Sequence, residues 1–286
     1  MSTLVKLKQD LEFNRDLGDI IDTLKTAALV QFRLFQMKDR PNGDFLKEIE
    51  SCFSILPSTT NNHPYLFERK DKPDVIVIVN SDEGFLGELN TLLVNAGLEV
   101  RQSKDDEMVV LGERGANYFE EMNESFVSFP GISDELNYKE VEVIRNYLLN
   151  GYRARFRRVL VVYPEFFSLT VQKVKVFQVL PYQPLEPQVR QAHLVPEEML
   201  IEPYAYKVLE TLVELWLGFK LSEIFWSSKQ SEYAARIMHL EASTQELAYL
   251  NQRLAFNYFR QMHALSDKTI REVSASRMLL SKYKEL

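Results

Sequence analysis

From Phe219 to Leu286 the sequence contains neither glycine nor proline. From Met1 to Arg40 it contains no proline and a single glycine, Gly18. Ends so free of helix breakers commit the chain to two long helices. In the first, Leu4, Leu7, Leu11, Leu17, Ile21, Leu24 and Ala28 recur at steps of three and four, the a and d spacing of a heptad. Asn14 falls on the same seam, where a polar residue fixes register at a cost in stability. In the last, Leu247, Leu250, Leu254, Tyr258, Met262, Leu265, Thr269, Val273 and Leu280 keep a similar spacing. At 1.5 Å per residue, about 80 residues make a rod of roughly 120 Å. An amphipathic rod does not persist bare in water. The N-terminal helix, about half as long, covers part of it, and an external partner must cover the rest.

The middle of the chain has a different texture. Pro41-Asn42-Gly43 breaks the first helix, a further helical piece runs from Phe45 to Leu56, and a Ser/Thr/Asn-rich loop follows from Pro57 to Pro64. The run Asp74-Val75-Ile76-Val77-Ile78-Val79 is continuous and mostly β-branched, the pattern of a strand buried on both faces. Helical spacing is expected over Phe85–Ala96, Ala116–Met122 and Tyr138–Leu149, and strands over Leu98–Arg101, Glu107–Leu111, Arg158–Tyr163 and Leu169–Leu180. Such alternation implies a small, mostly parallel sheet. Pro203 is the last proline. The organisation is therefore an N-terminal coiled-coil helix (1–56), a Rossmann-like α/β domain (57–202) inserted between the terminal helices, and a C-terminal coiled-coil helix (203–286). The fold class is α/β plus a long antiparallel coiled coil.

The net charge is -7, against a nucleic-acid partner recognised through bulk positive charge. The lone Cys52 excludes an internal disulfide and fits a reducing compartment; on a helical apolar face it is expected to be a buried thiol. No apolar run approaches the roughly 18 residues of a membrane span. The acidic N-terminus fits neither a signal nor a transit peptide. Any membrane association is then indirect.

Little in the sequence suggests chemistry. His63, His193, His239 and His263 are scattered without metal-ligand spacing. No G-x-S-x-G elbow is present. Asp105-Asp106 and Glu120-Glu121 have the look of solvated surface. Arg153, Arg155, Arg157 and Arg158 cluster before a strand, either as a phosphate site or as a solvated edge. No catalytic residue, cofactor or metal is assigned.

Four segments, taken together, resemble the gamma subunit of F-type ATP synthases. Ser231-Glu232-Tyr233-Ala234-Ala235-Arg236-Ile237-Met238 is close to the family's S-E-x-A-A-R-M, with Ala242-Ser243-Thr244 following. Ser81-Asp82-Glu83-Gly84-Phe85-Leu86-Gly87-Glu88-Leu89-Asn90 resembles its S-D-K/R-G-L-C/A-G-G-hydrophobic-N. Val162-Tyr163-Pro164-Glu165-Phe166 precedes Gln172 and Leu180-Pro181, and Glu202-Pro203 opens the last helix. Ile20 and Lys25 match a segment of the N-terminal helix, and the order is kept along the whole chain. The residues also have plain readings. Gly84 and Gly87 suit a tight strand-to-helix junction, and Ser81 or Asp82 suits the cap of the following helix. S-D-E-G-x-x-G is neither a Rossmann fingerprint nor a Walker loop, although a nucleotide at Gly84 and Gly87 is the enzymatic alternative. Ala234, Ala235, Ala242 and Ser243 are small enough to let two helices approach closely.

The resemblance implies a non-catalytic rotor shaft. It would sit at one copy per three alpha and three beta subunits, with an epsilon-type subunit and a ring of c subunits at its base, on the cytoplasmic face of a bacterial plasma membrane in preference to a mitochondrial inner membrane. Lys25, Arg253, Arg260 and Glu272 would meet the catalytic ring, and Ser274, Ala275, Ser276, Met278, Leu279 and Leu280 would line the bearing. Met262 and His263 stand where the family has Arg-Gln, Thr269 where it has Glu, and Asp19 and Asp22 where it is basic. These departures mark a divergent or paralogous member. The rival reading is a coiled-coil adaptor with an α/β head, dimeric through its terminal helices.

Overall fold

The computed structural model describes residues 2–38, 43–56, 63–69, 71–183 and 201–284. The chain forms two compact units, Ala28–Met238 and Met1–Ala27 with His239–Leu286. Two helices, α1 (Ser2–Gln36) and α6 (Ala205–Lys284), contribute residues to both. α6 is 80 residues long and unbroken, as the absence of proline and glycine after Gly218 requires.

The larger unit is built on a five-stranded sheet in the order β3-β2-β1-β4-β5. Its strands are β1 (Val75–Val79), β2 (Glu107–Leu111), β3 (Val127–Phe129), β4 (Val159–Ser168) and β5 (Val171–Leu180). β1 pairs in parallel with β2, Val77 opposite Val109, and with β4, Val77 opposite Val161. β2 pairs in parallel with β3, and β5 returns antiparallel against β4. The run that opens the middle of the sequence is thus the central strand, and all five of its residues are buried. Alternation divides them between two cores. Val75, Val77 and Val79 pack with Leu148 and Tyr152 of α5 (Tyr138–Ala154), Val213, Trp216 and Leu217 of α6, and Leu46 and Ile49 of α2 (Gly43–Ile55). Ile76 and Ile78 pack with Leu93 and Val94 of α3 (Leu89–Val100) and Phe119 of α4 (Glu113–Glu121). A third cluster joins Ala28, Phe32 and Phe35 of α1 to Trp226, Tyr233, Ala234 and Ile237 of α6.

Several local expectations change. Leu98–Arg101 is not a strand; α3 continues to Val100, because its apolar residues keep facing the sheet. β3 is only three residues long and only partly buried, so it leaves little pattern in the sequence. α3 begins at Leu89 rather than Phe85, because Phe85 (φ 63°) and Gly87 (φ 59°) both take left-handed conformations that no helix continues through. Cys52 is exposed, not buried; Leu46, Ile49 and Phe53 carry the inward stripe of α2. The arginine cluster is a solvated edge only at Arg153 and Arg155, which are exposed, and all four guanidiniums pair with carboxylates of the chain itself. Arg157 and Arg158 both bind the buried Asp74, at 2.7 and 2.5 Å, Arg155 pairs with Glu107, and Arg153 with Glu210 and Glu214. Burial alone would raise the Asp74 carboxyl, but the two guanidiniums outweigh it and hold it below the usual aspartate value. The Pro57–Pro64 loop falls mostly outside the described residues, as does His193.

In the smaller unit α1 and α6 run antiparallel. Lys25 Nζ lies 3.1 Å from Glu241, Gly18 faces Leu247, and Leu4 shares a groove with Met262, Leu265 and Ile270. On α1 the expected seam holds: Leu4, Leu7, Leu11, Asn14, Leu17 and Ile21 are half-buried, although Leu24 is exposed. On α6 the seam runs through Leu247, Asn251, Leu254 and Tyr258; Leu250 and Leu265 face water. From His263 to Met278 every residue is exposed.

Candidate functional site

The two motifs that stand furthest apart in the sequence meet in space. β1 ends at Val79, and the chain turns through Asn80, Ser81, Asp82, Glu83 and Gly84 at the carboxyl end of the sheet. α6 lays Glu232 and Arg236 against this turn. Arg236 Nη2 donates to Glu232 at 2.8 Å and lies 2.8 Å from Glu83, while its Nε donates to the Gly84 carbonyl at 3.4 Å. One turn earlier, the buried Lys229 reaches Glu232 at 3.2 Å, Asp134 at 3.0 Å and the Ile132 carbonyl at 3.1 Å. Ser231 Oγ donates to the carbonyl of Pro164 on β4, and Ser227 Oγ accepts from Phe166 N.

Charges buried this deeply persist only when paired and hydrogen-bonded. Burial by itself would depress the Lys229 ammonium, but Glu232 and Asp134 more than offset it and hold its pKa above the ordinary lysine value. Burial pushes Asp134 up, and its bonds from Tyr233 and Lys229 bring it below the aspartate norm. The Tyr233 hydroxyl is driven well above its usual range by burial and then by Asp134. Lys229 and Asp134 are therefore both charged across physiological pH, and their pairing helps fasten α6 to the sheet.

Some predicted roles move. Asp82 does not cap the helix after its own turn; the N-cap position of α3 is Glu88, which makes no side-chain cap bond. Its carboxylate instead accepts from Glu113 N at 2.8 Å, at the start of α4, and from Gly131 N at 3.1 Å. Ser81 Oγ accepts from Glu83 N, and Asn90 Oδ1 accepts from Ser81 N. Glu88, where the resemblance leads one to expect a small residue, is exposed. Ala234 packs against α1 as a small helix–helix residue, but Ala235 sits on the sheet-side core and Ala242 faces water.

Open α/β sheets take their ligands in the crevice where the strand order reverses. Here that crevice lies beyond β1 and β4, and α6 fills it. What remains among Asn80, Ser81, Asn90, Pro164, Ser228 and Glu232 is about 10 Å³, room for one water. The crevice itself therefore has no room for a nucleotide.

The second group of predicted residues belongs to the smaller unit. Lys25 is held by Asp22 and Glu241, and Met262 is half-buried beside Leu4. Arg253 lies over the Tyr249 ring, Arg260 and His263 are exposed, and Glu272 sits 3.9 Å from Lys268. Met278 is 72% exposed, and the Leu280 side chain lies outside the described residues. The exposed surface of this part of α6 is apolar as well as charged: Phe256 and Phe259 face out before the His263–Met278 stretch, and Ile270 and Val273 within it.

A family model described as ATP synthase matches residues 3–273. The chain belongs to the ATP synthase family. Its curated relatives include the ATP synthase gamma chain of Pelotomaculum thermopropionicum, 24% identical over 96% of this chain and 97% of the relative. The gamma chain of Clostridium acetobutylicum is 27% identical over 82% and 85%. Among solved structures, a chain of the Euglena gracilis mitochondrial ATP synthase OSCP/F1/c-ring assembly matches with a TM-score of 0.75. It shares 15% identity and covers all of this chain and 97% of the other. A chain of the Tetrahymena thermophila mitochondrial central stalk and c-ring reaches 0.55 over 79% of this chain. The fold of this ATP synthase family member is thus shared at identities where few side chains are.

Two functional features escape sequence reasoning. Lys229, the hub of the ion cluster, precedes the S-E-x-A-A-R segment by two residues; its i, i+3 spacing to Glu232 is the signal that was there to read. Asp134, its partner across the domain, sits in a loop with no pattern around it.

Proposed function

We propose that the chain is the non-catalytic central-stalk subunit of a rotary F-type ATP synthase, turning within a ring of three alpha and three beta subunits. At its base it contacts an epsilon-type subunit and a c-ring. The observation that carries the reading is α6 itself. One helix is pinned to the α/β sheet by the Lys229–Glu232–Arg236 cluster and goes on to the exposed segment from His263 to Met278. A shaft needs a fixed end and a free end, and torque entering at the domain needs a rigid grip. Burying the crevice of the sheet under α6 gives that grip at the expense of any ligand there.

Membrane association is peripheral and passes through the c-ring; no helix among the described residues is long and apolar enough to cross a bilayer. The cytoplasmic face of a bacterial plasma membrane is the proposed location. Arg253, Arg260, His263, Glu272 and Met278 are proposed to meet the catalytic ring, with Leu280 in the bearing. Lys25, already held within the shaft, serves as an internal brace.

A specialised paralogous motor is the second reading. It is favoured by Met262, which packs beside Leu4 where the resemblance leads one to expect a polar Arg-Gln pair. Co-expression with candidate alpha and beta subunits tests the assignment. Recovery at one copy per three of each supports a rotor, whereas a defined homodimer that ignores both subunits overturns it. In the recovered complex, Met262→Arg with His263→Gln should change ATPase rate or pausing; unchanged values would remove any catch at that point.

A further inference from the structure

We propose that the cavity between α5, α6 and the end of α1 is a binding site for a small amphipathic monocarboxylate. The cavity has a volume of about 360 Å³, inside the range of small-molecule sites. Its walls are Leu136, Val141, Leu215, Phe219 and Trp226, with Gly218 leaving the floor open. Such a lining takes an aryl or alkyl body. The head group is set by Arg145.

Arg145 lines the cavity with only 17% of its side chain exposed. Its polar contacts are all long: Tyr138 Oη at 3.3 Å, Asn146 Oδ1 at 3.3 and 3.4 Å, and Glu142 at 3.5 Å. Other guanidiniums in this protein make bonds of 2.7 to 2.8 Å to carboxylates, as Arg157 does with Asp74. A largely buried guanidinium without a short partner among the described residues has unused capacity for a planar, bidentate acid. Lys38 at the mouth adds a second positive charge, its Nζ donating to the Asp134 carbonyl at 2.7 Å. Glu135, also at the mouth, is exposed, and Glu142 is 45% exposed, so water screens both acids. The net preference is for one negative charge on an apolar body. A phosphate would waste the apolar wall, and a neutral ligand would leave Arg145 as it is.

The test is calorimetric titration of the full chain with 4-phenylbutanoate and with 4-phenylbutan-1-ol, which share a body and differ in the head. The acid should bind with a Kd of about 1 mM or tighter, and the alcohol at least tenfold more weakly. Arg145→Gln should bring the acid to the level of the alcohol. Leu215→Trp, filling the mouth, should abolish both. No heat from the acid at concentrations far above that Kd overturns the proposal. So does equal binding of acid and alcohol by the unaltered chain, a comparison that needs no variant to fold. Retention of the preference in Arg145→Gln removes the assigned residue and the proposal with it.

Discussion

Arg236 and Glu83 meet at 2.8 Å, one on the longest helix and the other on the turn that leaves the central strand. The two ends of this contact differ sharply. Arg236 is 8% exposed and Glu83 62%. The same guanidinium also holds Glu232, at 9%. Most of the value must therefore lie in the buried arm.

That asymmetry gives a first prediction. Breaking a buried pair costs about 3–5 kcal/mol, whereas an exposed arm is worth about 0–1. Arg236→Ala should lower stability by about 3 kcal/mol and Glu83→Gln by less than about 1. Urea unfolding followed by tryptophan fluorescence reports on this unit, because Trp216 and Trp226 both lie in it. Equal effects of the two variants would refute the assignment of the grip to the buried arm.

The two left-handed glycines, Gly87 before α3 and Gly112 between β2 and α4, are not equivalent. Gly87 has φ 59°, so alanine there pays for the left-handed conformation, about 1–2 kcal/mol. Gly112 has φ 97°, and a Cβ on it would stand 2.7 Å from the Asn80 backbone. Gly112→Ala should therefore destabilise far more than Gly87→Ala, and reduced recovery of folded chain is the expected first sign. A Gly112→Ala protein with the milder midpoint shift would mean the backbone there can move apart.

How far the sequence revealed this architecture follows from how regular each part is. The terminal helices, the central strand and the parallel sheet were legible, because apolar spacing and β-branched runs are local signals. The meeting of Ser81–Asn90 with Ser231–Arg236 was not: nothing local tells Arg236 that Glu83 is near. Asp82 shows the same gap. It looks like a cap for α3, but the left-handed Phe85 and Gly87 separate it from that helix, and it serves α4 instead. On α6, Leu250 looks like a seam residue and Asn251 does not, yet the register set by Gly18 and Leu247 puts Asn251 inside. Burial of an asparagine runs against composition, so only pairing could reveal it.

Asn251 supplies the third prediction. Its Oδ1 is buried without a hydrogen-bond partner among the described residues. The antiparallel register that sets Gly18 against Leu247 and Lys25 against Glu241 places Asn14 at the same level. A polar layer in a helix pair costs stability and fixes register. Asn251→Leu should raise the thermal midpoint of the smaller unit, by an amount corresponding to about 1–3 kcal/mol of relieved desolvation. Circular dichroism at 222 nm follows it. A lowered midpoint would show that the asparagine pair bonds across the helices and stabilises them.

The last prediction concerns acid. His63 is 3% exposed, its ring tilted against Tyr206 with centroids 4.1 Å apart, and its Nδ1 accepts from Tyr65 N at 3.2 Å. Its Nε2 is buried without a partner among the described residues. Burial lowers its pKa from 6.5; Glu210 pulls the other way and Arg153 adds to the lowering. The unfolded chain therefore takes up this proton at higher pH than the folded one. The sign is fixed by linkage: stability is complete above about pH 6.5 and declines as pH falls from there toward the folded pKa. Asp74, Asp134 and Glu210 all have lowered carboxyl values, so their contributions fade only in stronger acid, and the windows separate. His63→Phe keeps an aromatic ring beside Tyr65 and Tyr206 and removes the titration. Its stability relative to the unaltered chain should improve steadily from pH 7 to pH 5. A difference that stays constant over that range would mean His63 is not the group that protonates.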